Sequence, residues 1–272
     1  MESIHCIICN SNKTSSYKKI KDTCDRNESF TLVKCECDLV FLNPRPDKEE
    51  ISRYYDESYL PHNERKTLFI KFYNFIQKIT FFWKWRILKK NSRNFTDVLD
   101  IGGGTGTFCN YLENKNIKSV NYDPYFNKRD VAAVSLDNYD AITLWHSLEH
   151  VHNIKELFSY IDSKLKKNGF LYIAIPNHDA YERSYFGDSW IAYDLPRHLY
   201  HFNQETIAKL LHIYGFTIIK TYSMIQDTFF NILLSKDMNL LKKIYVLLKS
   251  IIVISFNKKK SSSLLYVCKR EY

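Results

Sequence analysis

Beyond residue 95 the chain alternates between two hydrophobic periods. Short apolar runs at VLDI (98–101), SVNYD (119–123), DAITLWH (140–146) and FLYIAIPN (170–177) read as strands. Between them, TFCNYLENKN (107–116), NIKELFSYIDSKLKKNG (153–169) and QETIAKLLHIYGF (204–216) set apolar side chains three and four apart, as on one helix face. The last of these meets Gly215, a fitting C-cap. FTIIKTYS (216–223) and SLLYVCKR (263–270) predict two final strands. Strands alternating with helices predict a parallel sheet covered on both faces.

Other stretches follow different patterns. Residues 66–90 repeat Phe69, Phe72, Ile76, Ile79 and Phe82 at helical spacing, with lysines between them. The polar, tyrosine-rich segment 47–64 predicts a short helix at its start. Residues 225–260 lie between the last two strands, and 239–256 within them are almost wholly aliphatic or aromatic. Lys242 and Lys249 are seven apart and share a helix face there, and Lys258, Lys259 and Lys260 follow. This run falls short of the roughly 20 apolar residues a membrane span needs. It suits a helix lying on an anionic membrane surface, or one packed on the core or on a second subunit as in a homodimer. The predicted domains are therefore a cysteine-bearing module (1–46), a helical connector and lid (47–95), and an α/β domain (96–272) with a helical insert at 225–260.

The chain has only seven glycines, and four of them fall within LDIGGGTGTF (99–108). They follow the first predicted strand of the α/β domain, where ligands of open α/β sheets bind. Without a Cβ the backbone turns tightly and approaches a ligand directly. A dinucleotide fingerprint G-x-G-x-x-G would place its third glycine at Thr107, but here Gly102, Gly104 and Gly106 form G-x-G-x-G. Asp123 ends the next strand, at the position from which a carboxylate would hold both hydroxyls of a ribose. Asp100 would steady the loop.

Composition adds three points. A hydrophobic share of 45% supports a folded core. The net charge of +9 fits either affinity for phosphates, nucleic acid or an anionic membrane, or a solvated lysine-rich surface. Five of the seven cysteines (Cys6, Cys9, Cys24, Cys35, Cys37) precede residue 40. With no apolar stretch of signal-peptide length at the start, a cytoplasmic location is expected, extending to the inner face of the membrane if the insert attaches there. In that compartment clustered thiols point to metal rather than disulfides.

Taken together, LDIGGGTG, NYDP, YDAITLWHSLEHV and LKKNGFLYIAIPN resemble the motif set of class I S-adenosylmethionine-dependent methyltransferases. CIIC…VKCECDLVFLNPRPDKEEISRYYDESY and DLPRHLYHFNQETIAKLLHIYGF further resemble a bacterial small-molecule group that often accompanies sugar, polysaccharide or lipid-precursor biosynthesis. The resemblance implies a Rossmann-like, seven-stranded, mostly parallel sheet with helices on both faces, and a small N-terminal zinc-ribbon-like module. It implies S-adenosylmethionine held by Asp100, Gly102, Gly104, Gly106 and Asp123, with Asp100 facing the methionine amino group. It also implies zinc on Cys6, Cys9, Cys35 and Cys37. The second pair departs from the family's C-x-x-C-G spacing, and Cys24 or His5 stand as substitutes.

Chemistry gathers in two places. In WHSLEHVHN, His146, Glu149 and His150 follow the predicted strand and face the cofactor side. This segment resembles ubiquinone-pathway O-methyltransferases, in which acidic and histidine side chains hold a divalent metal beside the acceptor. His146 stands where an acid would be, and a helix-capping role for the Glu–His pair competes. In SWIAYDLPRHLYHF, Trp190, Tyr193, Arg197, His198 and His201 can overhang the site. Arg197 would grip a phosphate or carboxylate, with His198 or His201 as base, and a purely structural lid competes. Tyr54, Tyr55 and Tyr59 would close the pocket from the N-terminal side. The expected activity is methyl transfer to a small or lipid-linked, sugar-containing acceptor, at oxygen before carbon or nitrogen. A nucleic-acid methyltransferase and an inactive cofactor-binding scaffold are the rivals. Against nucleic acid, WHSLEH occupies the place of the (Asp/Asn)-Pro-Pro-aromatic motif of amino-methylating enzymes.

Overall fold

The computed structural model describes residues 1–22, 28–55, 67–92, 95–123 and 138–271, and of residues 67–75 the backbone alone. Cys24 and Tyr59 lie outside the described residues. The N-terminal part forms β1 (Thr14–Lys21), β2 (Ser29–Cys35) and β3 (Val40–Leu42), then a 3₁₀ turn at Glu50–Tyr54 and the long helix α1 (Thr67–Asn91). The alternating part runs β4 (Asp97–Ile101), α2 (Thr107–Glu113), β5 (Lys118–Tyr122), β6 (Tyr139–Trp145), α3 (Ile154–Lys164) and β7 (Leu165–Pro176). There follow α4 (Arg183–Phe186), β8 (Tyr200–His201), α5 (Gln204–Ile213), β9 (Phe216–Ser223), α6 (Ile225–Leu234), α7 (Leu240–Phe256) and β10 (Ser263–Arg270).

The main sheet has the order β5-β4-β6-β7-β10-β9. Strands β4 to β7 pair in parallel, and β10 is antiparallel to both of its neighbours. Among the described residues it has six strands, not the expected seven; residues 124–137, between β5 and β6, are outside them. Successive side chains go to opposite faces. In β7, Leu171, Ile173 and Ile175 join the core under α3 and α5, while Tyr172 and Ala174 join the core under α1 and α2. Helices cover both faces, as the sequence pattern predicts.

One boundary differs. Residues 165–169 read as the end of a helix, yet α3 stops at Lys164 and Leu165 already pairs with Tyr139 across the sheet. A Cβ on Gly169 would stand 2.6 Å from Leu165 Cδ1, so a larger residue there would have to displace the Leu165 side chain beside this early pairing.

The cysteine module does not close on itself. Its sheet has the order β1-β2-β3-β8, and β8 comes from the stretch after α4. Val40 and Phe41 pair with His201 and Tyr200. Leu32, Phe41 and Leu42 share one buried cluster with α3 and α5. This pairing carries residues 146–201 and the module against each other, and the polar cluster described next lies there.

Candidate active site

The glycine loop leaves β4 with positive φ at Gly102 (75°), Gly104 (56°) and Gly106 (78°), conformations that side chains disfavour. Space also dictates glycine. A Cβ at Gly102 would lie 2.4 Å from Ser147 Cβ, and one at Gly103 would lie 2.4 Å from both Asn121 Oδ1 and Asp100 Oδ2. The loop is pinned by the neighbouring strand. Gly102 N donates to Tyr122 O at 2.8 Å, Gly104 N donates to Asp123 Oδ2 at 2.8 Å, and Asn121 Nδ2 donates to Gly104 O at 2.7 Å. Asp123, expected at the end of the second strand of the α/β domain, thus lies against the glycine turn.

Asp100 is buried and accepts a hydrogen bond from Thr143 Oγ1 at 2.5 Å. Burial pushes its carboxyl up to about 6, partly offset by Thr143 and by the charge of Lys84. Lys84, on α1, places its ammonium 4.3 Å from the Trp145 ring and 5.2 Å from that of Phe108. Burial lowers it to about 8 against the pull of Asp100 and Asp227. The sequence reading missed Lys84 because one lysine among many on an apolar helix carries no local signal.

Beyond β6 the chain turns at His146 (φ 55°). Its Nε2 lies 2.8 Å from Asp227 on α6 and its Nδ1 lies 3.4 Å from Glu149. Burial alone would lower its pKa, but Asp227 and Glu149 carry it up to about 10. His146 is therefore an imidazolium wedged between two carboxylates. Asp227, 81 positions away, was not foreseen.

Glu149 is fully buried, and neither of its oxygens accepts a hydrogen bond among the described residues. Burial raises its carboxyl, yet His146 beside it holds it below the ordinary range. His150 and His198 meet edge-to-face at 4.7 Å. His198 Nδ1 donates to Ala192 O at 2.8 Å, and His150 Nδ1 donates to Arg197 O at 3.0 Å. Because a carbonyl only accepts, both rings carry a proton on Nδ1, which leaves Nε2 as the ring nitrogen not engaged by the backbone. His198 Nε2 lies 4.0 Å from Glu149 Oε1 and 3.8 Å from Asp194 Oδ2. Burial, with His198 alongside, lowers His150 to about 4. Ligand atoms of Glu149, His150 and His198 fall within 4.8 Å of one another, so the set can hold a divalent ion.

The remaining candidates are placed elsewhere. Arg197 is buried, its guanidinium held by Asp194 and donating to Tyr54 O at 3.0 Å, so it clasps the connector. His201 meets Tyr193 edge-on and His178 at a tilt, with ring centroids at 5.4 and 5.8 Å, and its ring centroid is 6.5 Å from that of His198. Trp190 and Tyr193 are core residues, as is Tyr54, whose hydroxyl donates to Glu28 at 2.6 Å. Of the two tyrosines of that group among the described residues, Tyr55 reaches the site, its hydroxyl 3.0 Å from His150 Nδ1.

The four cysteines also converge. Cys6 and Cys37 sulfurs are 3.4 Å apart, as are those of Cys9 and Cys35, and all four lie within 4.8 Å. Zinc bonded to four sulfurs at about 2.3 Å would set them roughly 3.8 Å apart, within this range. The shortened pair contributes both sulfurs because Asp38 takes the left-handed conformation (φ 76°) that closes the turn. His5 is exposed and outside the cluster.

No helix among the described residues is long and apolar enough to cross a membrane. None of the curated proteins matches this sequence. The fold is similar to 1,6-didemethyltoxoflavin-N1-methyltransferase from Burkholderia thailandensis, solved with 1,6-didemethyltoxoflavin and S-adenosylhomocysteine (13% identity, TM-score 0.51, 94% of this chain, 100% of that chain). Also similar are a SAM-dependent methyltransferase from Archaeoglobus fulgidus (19%, TM-score 0.46, 75% and 100%) and phosphoethanolamine N-methyltransferase 2 from Haemonchus contortus in complex with S-adenosyl-L-methionine (15%, TM-score 0.44, 69% and 52%). The profile described as "Methyltransferase domain" matches residues 66–221, from the connector helix through the glycine loop and the histidine cluster to β9. The chain accordingly belongs to the methyltransferase-domain family.

Proposed function

We propose that the protein methylates a hydroxyl oxygen of a small or lipid-linked, sugar-containing acceptor, with His198 as the base. One observation carries the chemistry: His198 places Nε2 between two carboxylates, its Nδ1–H fixed on the Ala192 carbonyl. The sugar-containing class rests on the sequence resemblance noted above. S-Adenosylmethionine, when bound, supplies a methyl group on a positive sulfur. Gly102, Gly104 and Gly106 with Asp100 and Asp123 would hold it. His198 would take the acceptor hydroxyl's proton through Nε2 as that oxygen accepts the methyl group the cofactor supplies. Glu149 and Asp194 then stabilise the resulting imidazolium. Alignment supplies part of the rate, and a positioned base contributes about 10² to 10⁴.

The test is transfer of labelled methyl to a panel of nucleotide sugars and lipid-linked sugars. His198→Asn and Glu149→Gln should lower kcat by about 10² to 10⁴ and leave the thermal shift by S-adenosylhomocysteine intact. Undiminished turnover in either variant would remove the base from this position.

The convergence of Glu149, His150 and His198 supports a second reading. A divalent ion on Glu149, His150 and His198 would polarise the acceptor oxygen; activity lost to a chelator and restored by the ion would favour it. We propose also that Cys6, Cys9, Cys35 and Cys37 hold a structural zinc, which would bind β1–β3 together without taking part in the chemistry.

A further inference from the structure

Helix α7 is packed on one narrow seam and open elsewhere. Val246, Ser250 and Ile254 are buried, four apart, and form the only buried row of the helix. Leu240, Leu241, Ile244, Tyr245, Leu248, Ile251, Ile252 and Phe256 are all exposed, Leu241 at 79% and Phe256 at 90%. At about 100° per residue these eight side chains sweep an arc of roughly 160° opposite the buried seam. Ser255, inside that arc, donates its hydroxyl back to Ile251 O at 2.8 Å, so apart from the Tyr245 hydroxyl the arc is apolar in effect. Lys242 and Lys249 border it, with Lys258, Lys259 and Lys260 just past its end, and residues 238–260 contain no acid. Soluble surfaces rarely leave so long an apolar stripe in water.

We propose that α7 lies flat on an anionic lipid surface, its apolar arc in the acyl boundary and its lysines among the headgroups. Charge selects this occupant. A symmetric pairing of two copies through the arc would bring lysines against lysines with no acid on the helix to answer them. A layer of anionic headgroups answers all of them, and lysine stems reach along the helix to the polar level. Helix α6 packs against α7 and leaves Ile225, Phe229 and Leu233 exposed as well. The same α6 carries Asp227, the carboxylate on His146 beside the catalytic cluster. Seating α7 on a bilayer therefore holds the reaction site next to the lipid surface, where a lipid-linked acceptor presents its head. That last step rests on the proposed function; the membrane contact does not.

The experiment is flotation of the full chain with vesicles of neutral phospholipid alone and with vesicles containing anionic phospholipid. The protein should float with the anionic vesicles, and raising the salt should weaken this. Combining Leu241→Glu, Leu248→Glu and Ile252→Glu should reduce partitioning about tenfold or more. All three side chains are exposed, so the melting temperature and the shift caused by S-adenosylhomocysteine should not change. Lys242→Glu with Lys249→Glu should reduce binding by about 25-fold or more, roughly fivefold for each lysine removed. Failure of the wild type to float with anionic vesicles overturns the proposal. So does a wild-type dimer that the triple variant converts to monomer, which would assign the arc to a second copy. Loss of the cofactor-induced shift in the wild type would instead strike at the methyltransferase reading and leave the lipid contact standing.

Discussion

Asp100 shows how burying a single carboxyl changes the balance of the fold. Its carboxyl is buried, so its pKa rises from 3.8 to about 6. A carboxylate with a raised folded pKa favours the fold below the unfolded pKa, and that contribution disappears as pH rises from about 4 to 6. At pH 7 the ionised group costs up to about 3 kcal/mol. Asp100→Asn should therefore raise the apoprotein's stability in urea melts at pH 7 and leave it little changed below pH 4. The same substitution should abolish the shift by S-adenosylhomocysteine if the carboxylate meets the cofactor's ammonium. A destabilised variant at pH 7 would show that Lys84 and Thr143 already compensate its charge.

Between elements, the contact of His146 with Asp227 joins the end of β6 to α6. The His146 pKa rises from 6.5 to about 10 in the folded chain. Its stabilisation is thus fully present below pH 6.5 and is lost as pH climbs through about 10. The ring is 35% exposed, which reduces the effect to the order of 1–2 kcal/mol. Thermal melts across that range should show a steeper decline for the wild type than for Asp227→Asn; parallel declines would mean that the pair contributes nothing. The sequence pattern located β6 and placed 225–260 in a helical insert, but a left-handed histidine reaching a residue 81 positions on has no periodic signature.

At the scale of the molecule, the cysteine module and the α/β domain share β8 and a core. A metal on the four thiols would then stabilise more than its own ribbon. Purified protein should contain about one zinc per chain, and stripping it should lower one common unfolding transition rather than melt the module separately. Two separated transitions would mean that the pairing of β3 with β8 is too weak to couple the parts. A metal-free sample with an unchanged melting temperature would remove zinc from the account.

The amino-acid sequence by itself determined the alternation of strands and helices, the glycine turn with its acid one strand over, and the apolar, acid-free run in the insert. These are local: side-chain period, conformational freedom and charge density are legible over ten or twenty residues. Tertiary structure decided which candidates work together. It set His198 beside Glu149 and His150, turned Arg197 onto Asp194, moved His201 to the side of Tyr193, and recruited Lys84 and Asp227. Those pairings depend on how distant segments pack and on which charges burial forces together, and no short-range pattern encodes either.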